Sequence, residues 1–285
     1  MDNISRSKVM ATVAGNANIN LDHPIYGIEE PKDVRELIRN GQWDSYTKAL
    51  SMGFTQANLV VLPREDAYDF LLFCQRNQKP CPVIEVTEVG SVEPVYSAPG
   101  ADLRTDLPRY RVFRDGEIVD EPTDIREYWR DDLVAFLLGC SMTFEGALMD
   151  AGIPIRAIEQ GVGTCDFVTS IECRPAGKFH GPMVVSMRPM TPKQAVRATQ
   201  VTTRFSATHG APVHIGDPLA IGITDINNPT YGGGVDIYDG EVPVFWACGI
   251  TPQTIARASK VKFMITHKPG HMFITDLRDA EVAVL

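Results

Sequence analysis

The sequence predicts an α/β protein with two lobes, a three-layer α/β/α lobe and a smaller two-layer α+β lobe. Three observations support this prediction. The chain has 285 residues, of which 44% are hydrophobic and 22% charged, as in a globular protein with a sizeable core. A strand–helix–strand order is found near the N-terminus. A strand–loop–helix pattern then occurs twice in the C-terminal half.

The N-terminal elements alternate between helix and strand. Residues 31–53 carry apolar side chains at helical spacing, and residues 57–63 form a short apolar run that predicts a strand. Residues 64–77 again have a helical stripe, whereas residues 81–90 are β-branched and alternating, which predicts a second strand.

A loop and a hairpin are predicted next. Residues 91–109 contain three prolines and little periodicity, so they are predicted to be loop. Residues 110–121 are typical of a hairpin with Asp115-Gly116 at its turn.

The stretch "FLLGCSMTFEGALMDAG" is predicted to join two helices. Apolar side chains four apart indicate a helix over residues 123–139, and Gly139 then occupies the position of a helix-ending glycine. Ser141 is predicted to cap a second helix that runs to Gly152.

The C-terminal half has a possible internal β-loop-α-β repeat, over residues 181–217 and 241–276. "VVSMRPMTPKQAVRATQ" and "VFWACGITPQTIARASK" align without gaps, with Thr191-Pro192 matching Thr251-Pro252. Threonine followed by proline is a preferred helix start. The alternative is that a strand followed by a Thr-Pro helix is simply a common local arrangement.

The two lobes are expected to divide the chain unevenly. The α/β lobe would combine residues 1–110 with residues 226–285, and the smaller lobe would hold residues 111–225. A homodimer is the default expectation for the oligomeric state.

Composition argues against several classes of function. The net charge of −9 argues against a general binder of nucleic acid or of anionic membranes. No apolar stretch approaches 18 residues, and the first 20 residues contain no apolar leader segment, so we expect a cytoplasmic protein without a membrane span. The six cysteines show no C-x-x-C spacing, so we expect reduced, mostly buried thiols.

Histidines and acids in the repeat tails are candidate catalytic groups. Four of the six histidines lie there, namely His209, His214, His267 and His271. Imidazole suits proton transfer or metal ligation near neutral pH, so general acid/base use and a divalent metal site, with His209 and His267 as possible ligands, both stay open. The alternative is that these histidines hydrogen-bond to loop backbone. Asp217 and Asp276 accompany them.

Two arginines are candidate carboxylate binders. Arg188 follows an apolar run, and its planar fork suits a carboxylate, although a structural acid would suit it equally. Arg104 lies in a predicted loop beside Asp102, so a salt-bridged turn is its alternative explanation. The chain lacks a dinucleotide fingerprint, a P-loop and a G-x-S-x-G motif, which gives no support for a nucleotide cofactor.

Long strings of the sequence resemble the D-glutamate cyclase family. They include "QANLVVLP", "FCQRNQKPCPV", "DLRTDLPRYRV", "WRDDLVAFLLGCSMTFEGAL", "PAGKFHGPMVVSMRPM", "THGAPVHIGDP", "VPVFWACGITPQ" and "HKPGHMFITD". One segment departs from the resemblance, because "EQGVGTCDFVTSIEC" (159–173) replaces an expected asparagine-led, basic stretch of the form R-N-V-x-M-Y-x-T. If that segment touches substrate, a substrate other than the family's best-known one stays open.

The resemblance implies reversible conversion of D-glutamate to 5-oxo-D-proline and water, with no cofactor required. Our hypothesis makes His271 or His214 the acid/base, with Asp217 and Asp276 to orient them. Arg188 would clamp a carboxylate. The turn at Gly139, Cys140 and Ser141 would offer backbone N–H groups from a helix N-terminus. A lactam or amide hydrolase working in the reverse sense, and a non-catalytic carboxylate-binding protein, are the alternatives.

Overall fold

The computed structural model describes residue 19 and residues 21–284, and it confirms the α/β class. Within that part of the chain there are two antiparallel sheets and six α-helices. The strands are β1 Phe54–Pro63, β2 Val83–Val86, β3 Tyr110–Arg114, β4 Glu117–Asp120, β5 Leu133–Gly139, β6 Cys165–Glu172, β7 Pro182–Met190, β8 His214–Ile215, β9 Tyr231–Gly232, β10 Val242–Ala247, β11 Phe263–His267 and β12 Phe273–Arg278. The helices are α1 Pro31–Arg39, α2 Arg64–Arg76, α3 Glu145–Asp150, α4 Arg156–Glu159, α5 Pro192–Thr202 and α6 Thr251–Ala258.

The first sheet, sheet A, has the order β2-β5-β1-β11-β3-β4, and β12 also pairs with β1. Its central strand, β1, is buried along its whole length. One face of this sheet, with Leu59 and Leu137, packs under the loop that carries Leu103 and Leu107. The other face belongs to the main core, which also contains residues of the second sheet.

The second sheet, sheet B, has the order β8-β10-β7-β6-β9. In its register Ser186 of β7 lies opposite Asp166 of β6, and Arg188 lies opposite Val244 of β10. Side chains two apart on a strand point to the same face, so Ser186, Arg188 and the partner Asp166 share one face of sheet B.

The structure confirms the strand over 57–63, the helix over 64–77 and the hairpin over 110–121, within a few residues at their ends. The predicted loop 91–109 contains turns and no helix or strand. The helix predicted over 31–53 stops at Arg39, and Gly41 follows with φ of +69°. All six cysteines are free and buried, as predicted.

The helix predicted over 123–139 is wrong, because residues 133–139 form strand β5. All seven residues of β5 are buried between β2 and β1. A strand buried on both faces appears in the sequence as a continuous apolar run, which periodicity does not separate from a helix. Gly139 is accordingly the last residue of a strand.

The predicted helix start at Ser141 is also wrong. Helix α3 begins four positions later, at Glu145, and no side chain caps it. Ser141 is buried, and its hydroxyl instead accepts a hydrogen bond from Arg188.

The internal repeat is not confirmed. Both copies contain a strand and then a helix, but Thr191 forms a capping box at α5, whereas Thr251 is itself the first residue of α6. The strands that follow the two helices also differ, because β8 joins sheet B, whereas β11 and β12 both join sheet A. The proposed lobe boundaries stay a prediction, and each sheet takes strands from both proposed lobes.

No helix in the described part of the chain is both long and apolar enough to cross a membrane.

Candidate active site

A small cavity of about 30 Å³ lies between the two sheets. Sheet A contributes Asn58 and the residues after β5, and sheet B contributes the start of β6 and the middle of β7. Its polar and charged lining consists of Lys48, Asn58, Cys140, Ser141, Glu145, Thr164, Cys165, Asp166, Ser186, Arg188 and Cys248. Charged side chains are rarely buried unless they are paired, so this lining marks a candidate site.

Three buried charges form the centre of the cavity wall. The ammonium of Lys48 lies 2.9 Å from each carboxylate oxygen of Glu145. The guanidinium of Arg188 donates to Glu145 Oε1 from Nη2 at 2.6 Å and from Nε at 3.1 Å. Arg188 Nη2 also donates to Ser141 Oγ at 3.0 Å. The side chains of Lys48, Glu145 and Arg188 are only 3%, 5% and 8% exposed respectively.

Different elements position each charge. Arg188 extends from β7, where its guanidinium lies 5.3 Å from the Phe144 ring and 5.4 Å from the Trp246 ring. Glu145 opens helix α3, where an acidic side chain is favoured by the helix dipole. Lys48 lies in the turns between α1 and β1, next to Thr47, whose amide donates to the carbonyl of Gly270 at 2.9 Å.

The cluster has an excess of positive charge. Burial by itself raises the pKa of Glu145, but the charges of Lys48 and Arg188 and their hydrogen bonds outweigh it, so the pKa lies below its usual value. Glu145 is therefore ionised at neutral pH. Two cations share this one carboxylate, which leaves one net positive charge in the Lys48–Glu145–Arg188 cluster.

Asp166 lies in the same cavity and forms no ion pair with any residue that the structure describes. Its Oδ1 accepts a hydrogen bond from Ser186 Oγ at 2.6 Å, and it is 2% exposed. Burial raises its pKa, against the opposing effects of the Ser186 and Thr164 hydroxyls and of the positive charges of Arg188 and Lys48. Its neutral form is thus favoured more than in an exposed aspartate.

Three buried polar atoms at the cavity have no hydrogen-bond partner among the described residues. They are Asp166 Oδ2, Arg188 Nη1 and Thr164 Oγ1. Most buried polar groups in native proteins are hydrogen-bonded, and each exception calls for an explanation. A cationic donor, a carboxyl oxygen and a hydroxyl together suit a small polar ligand.

The structure brings Arg188, Cys140 and Ser141 together at the cavity, as the sequence hypothesis required. The backbone cradle proposed for them at a helix N-terminus is absent at that position, because α3 starts at Glu145. Burial raises the pKa of the Cys140 thiol to about 11, so it is protonated and a poor nucleophile at neutral pH.

His271 is not itself in the cavity lining, but its chain neighbours Gly270 and Met272 both line the cavity. Its Nδ1 lies 2.9 Å from the carbonyl oxygen of Pro269, and its ring centre is 5.0 Å from that of Tyr46. Burial lowers its pKa to about 4, so the imidazole is neutral at pH 7. Its predicted role in proton transfer stays a prediction.

The other predicted histidines do not line the cavity. His209 Nδ1 is 2.7 Å from the carbonyl oxygen of Lys79, and burial lowers its pKa to about 4. Burial lowers the pKa of His267 to about 3, and His214 Nε2 lies 2.7 Å from the carbonyl oxygen of Asp217. Across residues 21–284, no group of three or more His, Cys, Asp or Glu side chains is arranged to hold a metal ion.

The remaining predicted residues have local structural partners. Asp217 accepts from the amide of Leu219 at 3.0 Å, and Asp276 accepts from Arg35 at 2.8 and 3.1 Å. Arg104 donates two hydrogen bonds to the Asp102 carboxylate, from Nε at 2.9 Å and from Nη2 at 2.8 Å. This is the salt-bridged turn that the sequence offered as the alternative to a carboxylate-binding role. The amide of Gly139 already donates to Pro82 at 2.8 Å, so it is not free for a ligand.

Sequence reasoning missed Lys48, Glu145, Asp166 and Thr164. Two of them left a signal, because Glu145 and Asp166 are single acids inside otherwise apolar or neutral stretches. Ser186 and Arg188, alternating with apolar residues, likewise indicate a polar face on a buried strand. Lys48 left no signal in the predicted helix over 31–53.

The segment that departs from the family pattern, residues 159–173, lines the cavity with Gly163, Thr164, Cys165 and Asp166. The departing segment is therefore part of the candidate site.

Comparisons with known proteins agree with the resemblance seen in the sequence. The model of the D-glutamate cyclase family matches residues 134–276. "Putative hydro-lyase GK2103" of Geobacillus kaustophilus is 59% identical over 254 residues, which are 89% of this chain and 97% of that protein. "Putative hydro-lyase YcsI" of Bacillus subtilis is 58% identical over 255 residues, 90% of this chain and 99% of that protein.

A solved structure, the nitrogen repressor-like protein MJ0159 of Methanococcus jannaschii, is similar over 86% of this chain and 98% of that chain at 10% identity. Its TM-score of 0.35 is too low to carry an argument. The relatives and the family model together show that this chain belongs to the D-glutamate cyclase family.

Proposed function

We propose that this protein is a lyase that closes D-glutamate to 5-oxo-D-proline with release of water. The observation that carries the proposal is the net positive charge of the buried Lys48–Glu145–Arg188 cluster, with Arg188 Nη1 unpartnered in the described structure. The hydro-lyase names of the relatives agree with a reaction that releases water.

Charge complementarity favours this substrate. At neutral pH, D-glutamate has two carboxylates and one ammonium, and 5-oxo-D-proline has one carboxylate, so both carry a single net negative charge. Either ligand neutralises the excess charge left by Lys48 and Arg188 over Glu145. A buried cation site discriminates strongly for such an anion, because uncompensated charge in a low dielectric is costly.

The reaction balances without a cofactor. The amine nitrogen attacks the γ-carboxyl carbon, the new C–N bond forms, and one carboxyl oxygen leaves as water. The ammonium nitrogen loses two protons, and both end on the leaving oxygen. Folding the substrate so that nitrogen and carbon approach each other supplies a large part of the acceleration.

The cavity residues fit the parts of this reaction. Arg188 Nη1 binds a carboxylate, and Lys48 stabilises negative charge that develops on the γ-carboxyl oxygen. Two groups can carry the protons, Asp166 in the cavity wall and His271, whose chain neighbours Gly270 and Met272 line the cavity. We assign the amine end of the substrate to the Asp166 side, since Arg188 takes a carboxylate.

Entry of the substrate requires the cavity to open. Its volume of about 30 Å³ has room for little more than a water molecule. The half-buried ring of Tyr46 packs tightly against Gly163 and Gly270, where an added Cβ would meet ring atoms at 2.3 Å in both cases. We expect the segment that carries Tyr46 and Lys48 to move on substrate entry.

The test is to incubate the purified protein with D-glutamate and, separately, with 5-oxo-D-proline, and to follow interconversion by NMR. L-glutamate serves as the stereochemical control. Arg188→Met should reduce kcat/KM at least about 100-fold, whereas Arg130→Met, at an exposed ion pair with Asp132, should leave it unchanged.

The outcomes separate the alternatives. Turnover of 5-oxo-D-proline alone would favour the reverse, hydrolytic sense. Binding of either ligand without turnover would favour a non-catalytic carboxylate-binding protein. Turnover that is unaffected by Arg188→Met would show that the reaction occurs at another site.

A further inference from the structure

We infer that Asp166 and Thr164 form the subsite for the amine nitrogen of the substrate, and that they make the cavity select amino acids over hydroxy acids and plain dicarboxylates. The inference rests on the proposed function in placing a small dicarboxylate in this cavity. The inference goes beyond the proposed function because it assigns the selectivity for an amine to two residues of the segment 159–173.

The carboxyl of Asp166 is held in a fixed orientation. Asp166 and Ser186 are register partners on neighbouring strands, and the 2.6 Å hydrogen bond from Ser186 Oγ engages Oδ1 only. Oδ2 is buried and has no partner within the described chain. One oxygen thus anchors the group, and the other is available to a ligand.

Thr164 is held by its backbone rather than by its side chain. The amide of Gly233 donates to the Thr164 carbonyl at 2.9 Å. Gly232 packs so closely that a Cβ there would lie 2.0 Å from that carbonyl oxygen. The Thr164 hydroxyl is buried and makes no full hydrogen bond to a described residue, although it is close enough to the Asp166 carboxyl to lower the pKa of that group. The backbone of Thr164 therefore holds this hydroxyl beside Asp166 at the cavity.

The charges around Asp166 give it no ion-pair partner of its own. Lys48 and Arg188 both engage Glu145, and the thiols of Cys140 and Cys248 that share the cavity are protonated because burial raises their pKa. A buried carboxyl with a single hydrogen bond is a net cost to folding. A ligand that donates hydrogen bonds to it would compensate this cost.

The three unpartnered atoms match the head of an α-amino acid. Arg188 Nη1 donates to a carboxylate, while Asp166 Oδ2 and Thr164 Oγ1 accept from an ammonium, which has three protons to give. A hydroxyl offers one proton, and a methylene offers none. A ligand that lacks the amine would leave Asp166 Oδ2 and Thr164 Oγ1 buried without a hydrogen-bond donor. Because unpaired buried polar groups are costly, the site rejects such a ligand.

The test measures binding by isothermal titration calorimetry at pH 7 with three ligands, D-glutamate, D-2-hydroxyglutarate and glutarate. They differ only in the group at the second carbon. The wild-type protein should prefer D-glutamate over glutarate by at least 10-fold. Asp166→Asn should reduce this preference to within about 3-fold, and Asp239→Asn, the same change at an exposed aspartate, should leave it intact.

Thr164→Val provides a second, nearly isosteric variant should Asp166→Asn fold poorly, and it should weaken the same preference. The inference is overturned if the wild type shows no preference for the amine, if none of the ligands binds, or if both cavity variants keep the full preference.

Failure of the proposed function has a different signature. Amine preference without lactam formation in the NMR assay would refute the reaction and keep the subsite. Lactam formation by a protein whose amine preference survives both variants would keep the reaction and refute the subsite.

Discussion

Replacing Glu145 by glutamine would leave Lys48 and Arg188 without the carboxylate that they share. The change is nearly isosteric, so it opens no cavity, and its effect is electrostatic. Glu145 receives four hydrogen bonds from the two cations, at 2.6 to 3.1 Å, and all three side chains are at most 8% exposed.

Removing one partner of a buried ion pair costs about 3 to 5 kcal/mol, because the remaining charge is left uncompensated. Glu145→Gln leaves two such charges and should therefore destabilise by at least this amount. Lys48→Met is the matched control, because Glu145 keeps the fork of Arg188 and methionine fills most of the volume of the lysine stem. It should cost less than about 1.5 kcal/mol.

Urea unfolding followed by tryptophan fluorescence and circular dichroism measures both free energies. The pH dependence supplies a second readout. Since the pKa of Glu145 is lowered in the folded protein, its contribution is present above its unfolded pKa and is lost as the pH falls through the lower, folded value. Glu145→Gln should remove this part of the acid transition. A Lys48→Met protein as unstable as Glu145→Gln would refute the reasoning from two cations and one carboxylate.

Three further predictions follow from packing, burial and charge. Gly139→Ala should lower the free energy of unfolding, measured with urea, by more than about 2 kcal/mol, because the added Cβ would lie 2.0 Å from the backbone oxygen of Ala207. Gly146→Ala is the control, since a Cβ there has open space. It should be neutral or stabilise the protein by up to about 1 kcal/mol. Equal effects of the two changes would contradict this. The folded pKa of His209, lowered by burial to about 4, lies below its unfolded value, so its stabilisation is complete above pH 6.5 and decreases as the pH falls toward 4. Between pH 6.5 and pH 4 the free energy of unfolding of the wild type should fall by about 3 kcal/mol more than that of His209→Asn. Parallel curves of unfolding free energy against pH for the two proteins would be inconsistent with a neutral buried imidazole. The Cys140 thiol should resist alkylation by iodoacetamide at pH 7.5 in the native protein, because burial keeps it protonated. The Cys140→Ala variant should keep most of the turnover of the wild type. Rapid labelling of Cys140, detected by mass spectrometry, would indicate a thiolate instead.

Local patterns predicted the elements whose structure is decided locally. The hairpin over 110–121 follows from Asp115-Gly116, where both residues have positive φ, and the start of α5 follows from the capping box at Thr191. Strand β5 was mistaken for a helix because its side chains are buried on both faces, and burial on both faces is a property of the sheet.

The candidate site could be predicted only in part. Arg188 was recognised by its chemistry, and Cys140 and Ser141 by their place after an apolar run. Asp217, Asp276 and Arg104 were selected by residue type alone, and their partners in the structure are Leu219, Arg35 and Asp102, none of which is in the cavity lining.

By itself the sequence determined the α/β class, the family, the free thiols and the residue types able to bind a carboxylate, because composition and short-range spacing encode these properties. Only the tertiary structure decided which charges meet. Lys48 and Glu145 are 97 positions apart, and Glu145 and Arg188 are 43 apart. Their pairing, the raised pKa of Asp166 and the three unpartnered atoms arise where the two sheets exclude water, and local sequence does not encode that exclusion.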